Sequence, residues 1–434
     1  MYKTYKMSSM ETHLASSEDR LLSSLHFDTK RSSNYVTSRN EVSYSSSSGG
    51  SFSPTSGIRV MRFSLNDNSG AFLDGQSVRL CFTIKNEGAA AITPISSSPA
   101  SLFRRYRLTG GGVEITDVGP DYGRYHEMRS MLKSPNERLG DLIEGWGGAA
   151  AATLTSQGHA DPIPPGGERR VMCQFYCQLL GQHKKILLSA LSGLVIEAEL
   201  GEAADCFAEA EVNYTIIRPT ILATILQCDS AIMSSFSSHL LSGKSLSYNC
   251  PKTAFVMKSV VTSSTYSLPI ARGFSRISSV FFSFFKGGDN AKEVTTYNHP
   301  LAGAPSSTDG DTLRYHLALG SFRTPVFDVD SVCEQYHRLR TAATVLDHTN
   351  TVIDISPYAY RNNKAIFAIN LEKVIQEQDS DLGNSGMSSR GGSQMTLQLK
   401  GCPQNADGTP VMIHVCVLFD SITQLSSAGV VQMD

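Results

Sequence analysis

The stretch Leu194–Asp229 reads LVIEAELGEAADCFAEAEVNYTIIRPTILATILQCD and carries the clearest strand signal in the chain. Apolar and acidic residues alternate over Ile196–Leu200, which is the period of a strand with one buried face. After an acidic, alanine-rich loop the alternation returns at Val212–Ile216, and Ile221–Leu226 is then apolar on both faces. Pro219 cannot donate a backbone hydrogen bond, so we expect an edge, a bend or a bulge between two strands there. Short strands joined by irregular loops predict an all-β chain.

The length of the chain predicts two such domains. Its 434 residues exceed one ordinary core, because domains cluster near ~100–200 residues. We predict two consecutive antiparallel jelly-roll β-sandwiches with short helical insertions, the first over residues 57–230 and the second over residues 231–434. Residues 1–56 contain 17 Ser and little periodic apolarity. We expect them to form a flexible N-terminal arm that orders, if at all, against neighbouring subunits.

The composition excludes several classes of protein. Hydrophobic residues make up 41% and charged residues 18%, and the 35 Gly favour a loop-rich β chain over a helical one. A formal net charge of −2 leaves no basic field to collect nucleic acid, so we expect no specific nucleic-acid site. The strongest apolar run, Val280–Phe285, has the length of a strand and not the ~20 residues that cross a bilayer. We expect a soluble, non-secreted chain without a membrane-spanning segment.

The nine cysteines do not form a disulfide framework, because their number is odd and their spacing is irregular. Most lie in apolar strand patterns, as Cys81 and Cys416 do, which predicts reduced core thiols. Cys173 and Cys177 fall in one strand pattern and would lie roughly 13 Å apart, too far to share a tetrahedral metal ion alone.

The first predicted domain contains two helices among its strands. Ser101–Val118 predicts a hairpin whose Gly110–Gly112 supplies the positive φ angles of a tight turn. Apolar residues recur at helical spacing over Tyr122–Leu132. Ser134–Glu137 is a capping box that predicts a second helix, leading to the only tryptophan, Trp146. We expect both helices to lie over an open end or side of the barrel.

The second predicted domain contains the most distinct helix of the chain. Ser331 and Glu334 form a capping box, and Asp328 and Asp330 favour the positive end of the helix dipole. One apolar stripe follows the helix, formed by Val332, Tyr336, Leu339, Ala343 and Leu346. Each half of the chain thus has a helical insertion among strands, which indicates a faint duplication.

Candidate catalytic motifs fail on spacing. Gly243-Lys244-Ser245 lacks the upstream glycine of a phosphate-binding loop, because position 238 is Ser. His126-Glu127 lacks a second histidine at position 130, so we interpret it as solvated helix polarity. We therefore predict no catalytic residue, no cofactor-binding residue and no metal ligand, and interpret the chain as a structural or binding protein and not an enzyme.

Diffuse patterns in the second half resemble the double-jelly-roll major capsid proteins of small DNA viruses, of the Polinton-like virus and adintovirus type. In the first half, ASLFRRYRL (Ala100–Leu108) and the following helix resemble the same family, so the similarity spans residues 57–434. The stretches that carry the resemblance in the second half are HLLSGKSLSY (His239–Tyr248), ARGFSRISSVFFSFFK (Ala271–Lys286), LALGSFRTPVFDVDSVCEQYHRLRTA (Leu317–Ala342), GGSQMTLQLKG (Gly391–Gly401) and VMIHVCVLFDSITQLSSAGVVQMD (Val411–Asp434).

The resemblance implies a viral structural protein of the virion capsid that is assembled inside the host cell. Its homotrimer would present six barrels and tile an icosahedral shell as a pseudo-hexamer, alongside neighbouring capsomers, penton proteins and minor capsid proteins. No cofactor is implied. The loops Gly147–Gly167, Gly287–Gly310 and Asp379–Ser393 are candidates for tower or subunit contacts. Two alternatives stay open: a non-catalytic β-sandwich binding module, for example for glycans, and an enzyme whose convergent site the sequence does not reveal.

Overall fold

The computed structural model describes residues 35–55, 57–66, 70–96, 98–120, 122–135, 137, 145–146, 161–191, 193–209, 212–260, 265–286, 313–346, 353–362, 364–373, 386–390, 394–403, 411–427 and 429–433. Strands predominate in these residues and lie in five antiparallel sheets, so the predicted all-β class is confirmed. Most of the three loops predicted to make subunit contacts lies outside the described residues, and the exceptions are residues 161–167 and 386–390.

The described strands of the first half form two four-stranded sheets with two short additions. The strands are β1 (Val36–Ser45), β2 (Ser51–Phe52), β3 (Val60–Leu65), β4 (Phe72–Asn86), β5 (Phe103–Gly110), β6 (Val113–Asp117), β7 (Glu168–Cys173), β8 (Ile186–Leu187), β9 (Leu194–Leu200) and β10 (Tyr214–Cys228). One sheet has the order β1-β10-β4-β7, to which β2 and β8 add, and the other has the order β3-β9-β5-β6. Without the two additions, the strands numbered one to eight pair as 1-8-3-6 and 2-7-4-5. That order is a jelly roll.

The described strands of the second half repeat this order strand for strand. They are β11 (Leu246–Asn249), β12 (Lys252–Val260), β13 (Thr265–Ile270), β14 (Ile277–Lys286), β15 (Arg314–Leu319), β16 (Phe322–Val329), β17 (Phe367–Asn370), β18 (Met395–Lys400), β19 (Val411–Phe419), β20 (Ile422–Ser426) and β21 (Gly429–Met433). The sheets β12-β19-β14-β17 and β13-β18-β15-β16 give the same 1-8-3-6 and 2-7-4-5 pairing. The duplication that the sequence indicates only faintly is therefore explicit in the topology.

Six helices accompany the described strands. They are α1 (Tyr122–Met131), α2 (Gln178–Gly181), α3 (Ala203–Cys206), α4 (Ser230–Leu241), α5 (Val332–Leu346) and α6 (Pro357–Asn362). Two of the three predicted helices, Tyr122–Leu132 and Val332–Leu346, are present, and each follows the fifth strand of its jelly roll. Most of the third, between Ser134 and Trp146, lies outside the described residues. Ser331 Oγ accepts the Glu334 backbone N–H at 3.2 Å, as the predicted capping box requires.

The N-terminal arm is shorter than the sequence predicts. Val36–Ser45, which we assigned to the flexible arm of residues 1–56, is β1, the first strand of the first jelly roll. It pairs with β10 at the edge of the sheet, where Val42 and Tyr44 pack partly buried against the core. The prediction was wrong because the many serines of this segment give it little apolar periodicity of its own. The strand becomes favourable only when it can pair with the edge of β10.

Pro219 lies in a bulge, one of the three placements that the sequence left open. β10 runs as one strand through Tyr214–Cys228, and its register with β4 shifts between Ile217 and Thr220. Arg218 takes a φ of +52°, an uncommon value for a residue with a side chain. Proline has no backbone N–H to donate, and the bulge places Pro219 where the pairing with β4 is interrupted, so that the strand continues past it.

Aromatic side chains fill each jelly roll between its two sheets. In the first, Phe82 of β4 meets Phe103 of β5 edge to face at 5.8 Å between ring centroids. In the second, Phe282 of β14 meets Tyr315 of β15 in the same way at 5.0 Å. Each pair joins opposite sheets, and each buried ring contributes about 1.5–3 kcal/mol.

The two jelly rolls point the same way. Paired strands run in opposite directions. In the numbering from one to eight within a jelly roll, the odd-numbered strands therefore all run toward one end, here named the upper end. The last strand of the second jelly roll therefore finishes at its lower end and continues into the β20–β21 hairpin. That hairpin packs on the 3₁₀ turn Leu188–Leu191, and Val430 lies beside the β5–β6 turn at Gly110, both at the lower end of the first jelly roll.

Helix α1 lies along the side of the first barrel, one of the two predicted placements, and is buried between the jelly rolls. The Tyr125 ring meets Phe255 of β12 at 5.2 Å, and the Arg124 guanidinium lies 3.9 Å from the centroid of the Phe285 ring of β14. Nine of the ten residues of α1 are buried. The sequence showed one apolar face, but the opposite face is covered by the second jelly roll, which no local pattern encodes.

Candidate assembly surfaces

Among the described residues, no group of three or more His, Cys, Asp or Glu side chains is placed to hold a metal ion. His126 and Glu127 are buried in α1, so the prediction of solvated helix polarity was wrong. The Glu127 carboxylate accepts the Ser96 hydroxyl at 2.5 Å, and the His126 ring lies 4.6 Å from that of Tyr176. These contacts place both side chains in the packing of α1.

All nine cysteines are free thiols, and six of them are buried, in agreement with the predicted core thiols. Cys173 ends β7, but Cys177 is the N-cap of α2, so the two do not share one strand as the pattern suggested. Burial raises the pKa of the Cys250 thiol to about 11, which makes it a poor nucleophile. Cys333, at the start of α5, is exposed.

His414 is a buried histidine on β19, on the side of the second jelly roll that meets α1. Its ring stacks on Phe255 with 5.3 Å between centroids, and Phe255 in turn contacts Tyr125 of α1. Burial, assisted by the positive charge of Arg124, lowers the pKa of His414 to about 3. The imidazole is therefore neutral at physiological pH and acts as part of the packing.

The edge strand β16 carries the densest group of exposed large apolar side chains among the described residues. Phe322, Val326 and Phe327 are 49%, 79% and 59% exposed within six residues. Pairing with β15 passes from Thr324 opposite Leu317 to Val329 opposite Tyr315, so four residues of β16 oppose His316 alone. These four residues, Pro325–Asp328, are called the bulge below. An apolar patch of this kind marks an interaction surface.

Charged contacts hold the base of the bulge. The Asp328 carboxylate accepts hydrogen bonds from Arg323 at 2.5 Å, from His316 at 2.7 Å and from Lys400 at 3.2 Å. Partial burial alone would raise the pKa of Asp328, but the hydrogen bonds from Lys400 and His316 leave it below its ordinary value. The prediction that Asp328 is a helix-start acid was wrong, because the strand continues through Val329 and the Asp328 carboxylate is bound by Arg323 of β16, His316 of β15 and Lys400 of β18.

Helix α5 supports the bulge from the other side. The Arg338 guanidinium lies 5.5 Å from the centroid of the Phe327 ring and is held by Glu334, one turn earlier, at 2.7 Å. The sequence contains one signal of this edge. Pro325 lies inside an apolar run, and a proline within a strand pattern indicates an edge strand or a bulge. Sequence reasoning missed it, because it assigned no element to the residues before the helix.

A groove of about 550 Å³ opens at the upper end of the first jelly roll. Its lining comprises Pro54–Thr55, Arg59, Gly88–Ala89, Glu202–Ala204 and Val212–Asn213. In the numbering from one to eight, these segments belong to the connections that follow the first, third and seventh strands of the first jelly roll, which lie at its upper end. The side chains in the lining are mostly small. Sequence reasoning could not find this surface, because the segments are brought together only when the sheets close.

None of the described helices is long and apolar enough to cross a membrane.

Solved structures of capsid proteins have the same architecture over nearly the whole chain. The Faustovirus major capsid protein is 6% identical with a TM-score of 0.63, covering 97% of this chain and 94% of that one. The PBCV-1 virus capsid protein is 9% identical with a TM-score of 0.60, covering 94% and 100%. The mavirus major capsid protein is 11% identical with a TM-score of 0.51, covering 100% and 96%. This chain is a double jelly roll.

The double jelly-roll fold predicted from the sequence is thus confirmed, and at identities this low the likeness concerns the fold. No protein-family model and no curated protein sequence matches the chain. The resemblance to the Polinton-like virus and adintovirus group stays a prediction.

Proposed function

We propose that this double jelly roll is a viral major capsid protein that forms homotrimers and tiles an icosahedral shell in the virion. The observation that carries the proposal is the pair of jelly rolls with identical strand order and the same direction. A trimer of such chains presents six barrels of one orientation, which suits hexagonal tiling. The solved structures of similar fold support the role, since they are the capsid proteins of several viruses.

A structural, non-enzymatic role is consistent with the chemistry of the described residues. The buried polar groups of α1 and β19 make packing contacts, and the apolar bulge and the groove are surfaces suited to protein contacts. Neighbouring capsomers, penton proteins and minor capsid proteins are the partners we propose. A glycan-binding module is less well supported, because the described residues that line the groove on the first jelly roll include no aromatic side chain.

The test is the oligomeric state of the purified full-length chain. We expect a trimer of about three times 47.0 kDa by light scattering, and sheets or shells by electron microscopy at high concentration. A chain that stays monomeric at every concentration and ionic strength would overturn the proposal. A glycan-binding module would instead stay a monomer or small oligomer and bind a glycan array.

A further inference from the structure

The bulge on the second jelly roll has no counterpart of the same size on the first, where the β5–β6 pairing shifts by a single residue at Ile115. Strand β6 is the topological equivalent of β16, and Val113–Asp117 has none of the exposed large apolar side chains that β16 has. The jelly-roll fold therefore does not by itself require the exposed apolar side chains of Val326 and Phe327. Exposing two large apolar side chains at one point is unfavourable unless another surface covers them.

The bulge is rigid and is unsuited to pairing with another strand. Asp328 fixes one end through its contacts with Arg323, Lys400 and His316, and Arg338 lies against Phe327. Pro325 has no backbone N–H, and the four-residue irregularity interrupts the ladder, so strand addition at this edge is disfavoured. A rigid projection of apolar side chains is instead suited to insertion into a concave surface, because little entropy is lost on docking.

The groove on the first jelly roll has the complementary shape and chemistry. Its lining is mostly small side chains, including Pro54, Ala89, Ala203 and Val212, and it opens to solvent in the single chain. It therefore offers space for two apolar side chains.

The electrostatics of the two surfaces are also complementary. The segment beside the groove contributes Glu202, Asp205 and Glu209, against Arg59 in the lining. The contacts of the bulge contribute Arg323, Lys400 and Arg338, against Asp328 and Glu334. The groove side is net negative, whereas the bulge side places three cations beside Asp328, Glu334 and the following Asp330, so that the cations of one surface can face the acids of the other.

Both surfaces lie toward the same end of the molecule. The groove is built from connections that follow odd-numbered strands, and the bulge lies in the fifth strand close to the connection that follows it. The two jelly rolls point the same way. When two copies of the chain lie side by side in the same orientation, the bulge of one copy is therefore at about the same height as the groove of the next. The contact joins two different surfaces, so repetition around a threefold axis closes a ring.

We propose that the bulge inserts Val326 and Phe327 into the groove on the first jelly roll of a neighbouring copy of this chain. The inference rests on the proposed function, because it names the surface through which the copies associate. It assigns the second jelly roll as the donor of the contact and the first as its acceptor.

Cysteine cross-linking tests the contact directly. The full chain with Cys333→Ser, Val326→Cys and Ala204→Cys is oxidised and run on a non-reducing gel. We expect intermolecular disulfides that give dimer and trimer bands, which disappear on reduction. Variants that carry only one of the two introduced cysteines should give no such bands. The pair Leu241→Cys with Ala204→Cys should also give none, because Leu241 is as exposed as Val326 but belongs to α4, next to the lower end.

Val326→Asp gives the second measurement. We expect an increase of about 100-fold in the dissociation constant of the trimer, with thermal unfolding of the subunit unchanged, because the substitution places a charge in an apolar contact. Leu241→Asp is the matched control, since the two side chains are 79% and 80% exposed, and it should assemble as the unaltered chain does.

The outcomes separate the two proposals. If the unaltered chain assembles but the designed pair does not cross-link and Val326→Asp assembles normally, the bulge contact is wrong and the capsid function stands. If the unaltered chain never associates, both are wrong. Cross-links that form equally with Leu241→Cys would also overturn the contact, because they would report random collision.

Discussion

Single buried groups connect this structure to pH. His414 is neutral in the folded chain because burial lowers its pKa to about 3, whereas an exposed histidine titrates near 6.5. Below pH 6.5 the unfolded chain binds a proton that the folded chain does not, so stability falls as the pH falls and continues to fall toward pH 3. Asp328 changes stability in the same direction but in a more acidic range: its stabilising contacts persist at neutral pH and are lost only as the pH falls through its lowered pKa.

We predict that His414→Phe removes part of the acid sensitivity of the protein. From pH 7 to pH 5, neutral burial of one histidine with this pKa accounts for about 2 kcal/mol of lost stability. Denaturant unfolding at both pH values measures the difference, and the variant should lose about that much less than the unaltered chain. His239→Phe, at an exposed histidine of α4, is the control and should leave the pH dependence unchanged. Equal slopes for all three proteins would show that folding does not lower the pKa of His414.

Individual elements depend on the sheets that receive them. Helix α5 packs on β17 through its apolar stripe, in which Leu339 is fully buried. The predicted stripe is confirmed for Val332, Tyr336, Leu339 and Ala343, while the side chain of Leu346 lies outside the described residues. Strand β1 has little buried surface of its own and gains its order from β10.

Leu339→Asp is expected to unfold the second jelly roll. It places an unpaired carboxylate in an apolar contact, which costs about 4 kcal/mol or more. Circular dichroism and limited proteolysis should show loss of the second half, while His337→Asp on the exposed face of the same helix should remain folded. A Leu339→Asp protein that unfolds at the same temperature as the unaltered chain would contradict the packing of α5.

Truncation distinguishes the arm from the first strand. Removing residues 1–34 should leave the fold intact, because every pairing of β1 is retained. Removing residues 1–45 deletes the nine residue pairs with β10 and should lower the free energy of unfolding by about 3 kcal/mol or more. It should also promote aggregation, because β10 becomes an unpaired edge. Chemical denaturation and light scattering measure both effects; equal stability of the two truncations would assign β1 to the arm after all.

In the whole molecule, the two jelly rolls are joined by α1 and by the C-terminal hairpin. Tyr248 of β11 also donates its hydroxyl hydrogen bond to the Lys185 carbonyl of the first jelly roll, at 3.0 Å. The three-stranded sheet β11-β20-β21 therefore belongs to the second half in sequence and to the first half in much of its packing. A division of the chain at residue 230 follows the strand order, but it does not describe where these last strands lie.

Ending the chain after Asp420 should uncouple the jelly rolls. The deletion removes β20 and β21 and uncovers Leu191 and the β5–β6 turn. We expect calorimetry to show one transition for the full chain and two for the shortened chain, with the first jelly roll unfolding at the lower temperature. A single transition at the original temperature would indicate that α1 alone couples the two halves.

The sequence by itself determined the all-β class, the two-domain length, strands such as Leu194–Leu200 and the helices Tyr122–Met131 and Val332–Leu346. Those features follow from periodicity and capping, which are local and are written in neighbouring residues such as Ser331 and Glu334. Only the tertiary structure decided that β1 is a strand, that α1 is buried on all sides, and that Asp328 contacts Arg323, Lys400 and His316. Each of these depends on partners far along the chain, because burial and charge pairing are set by what the folded sheets bring together.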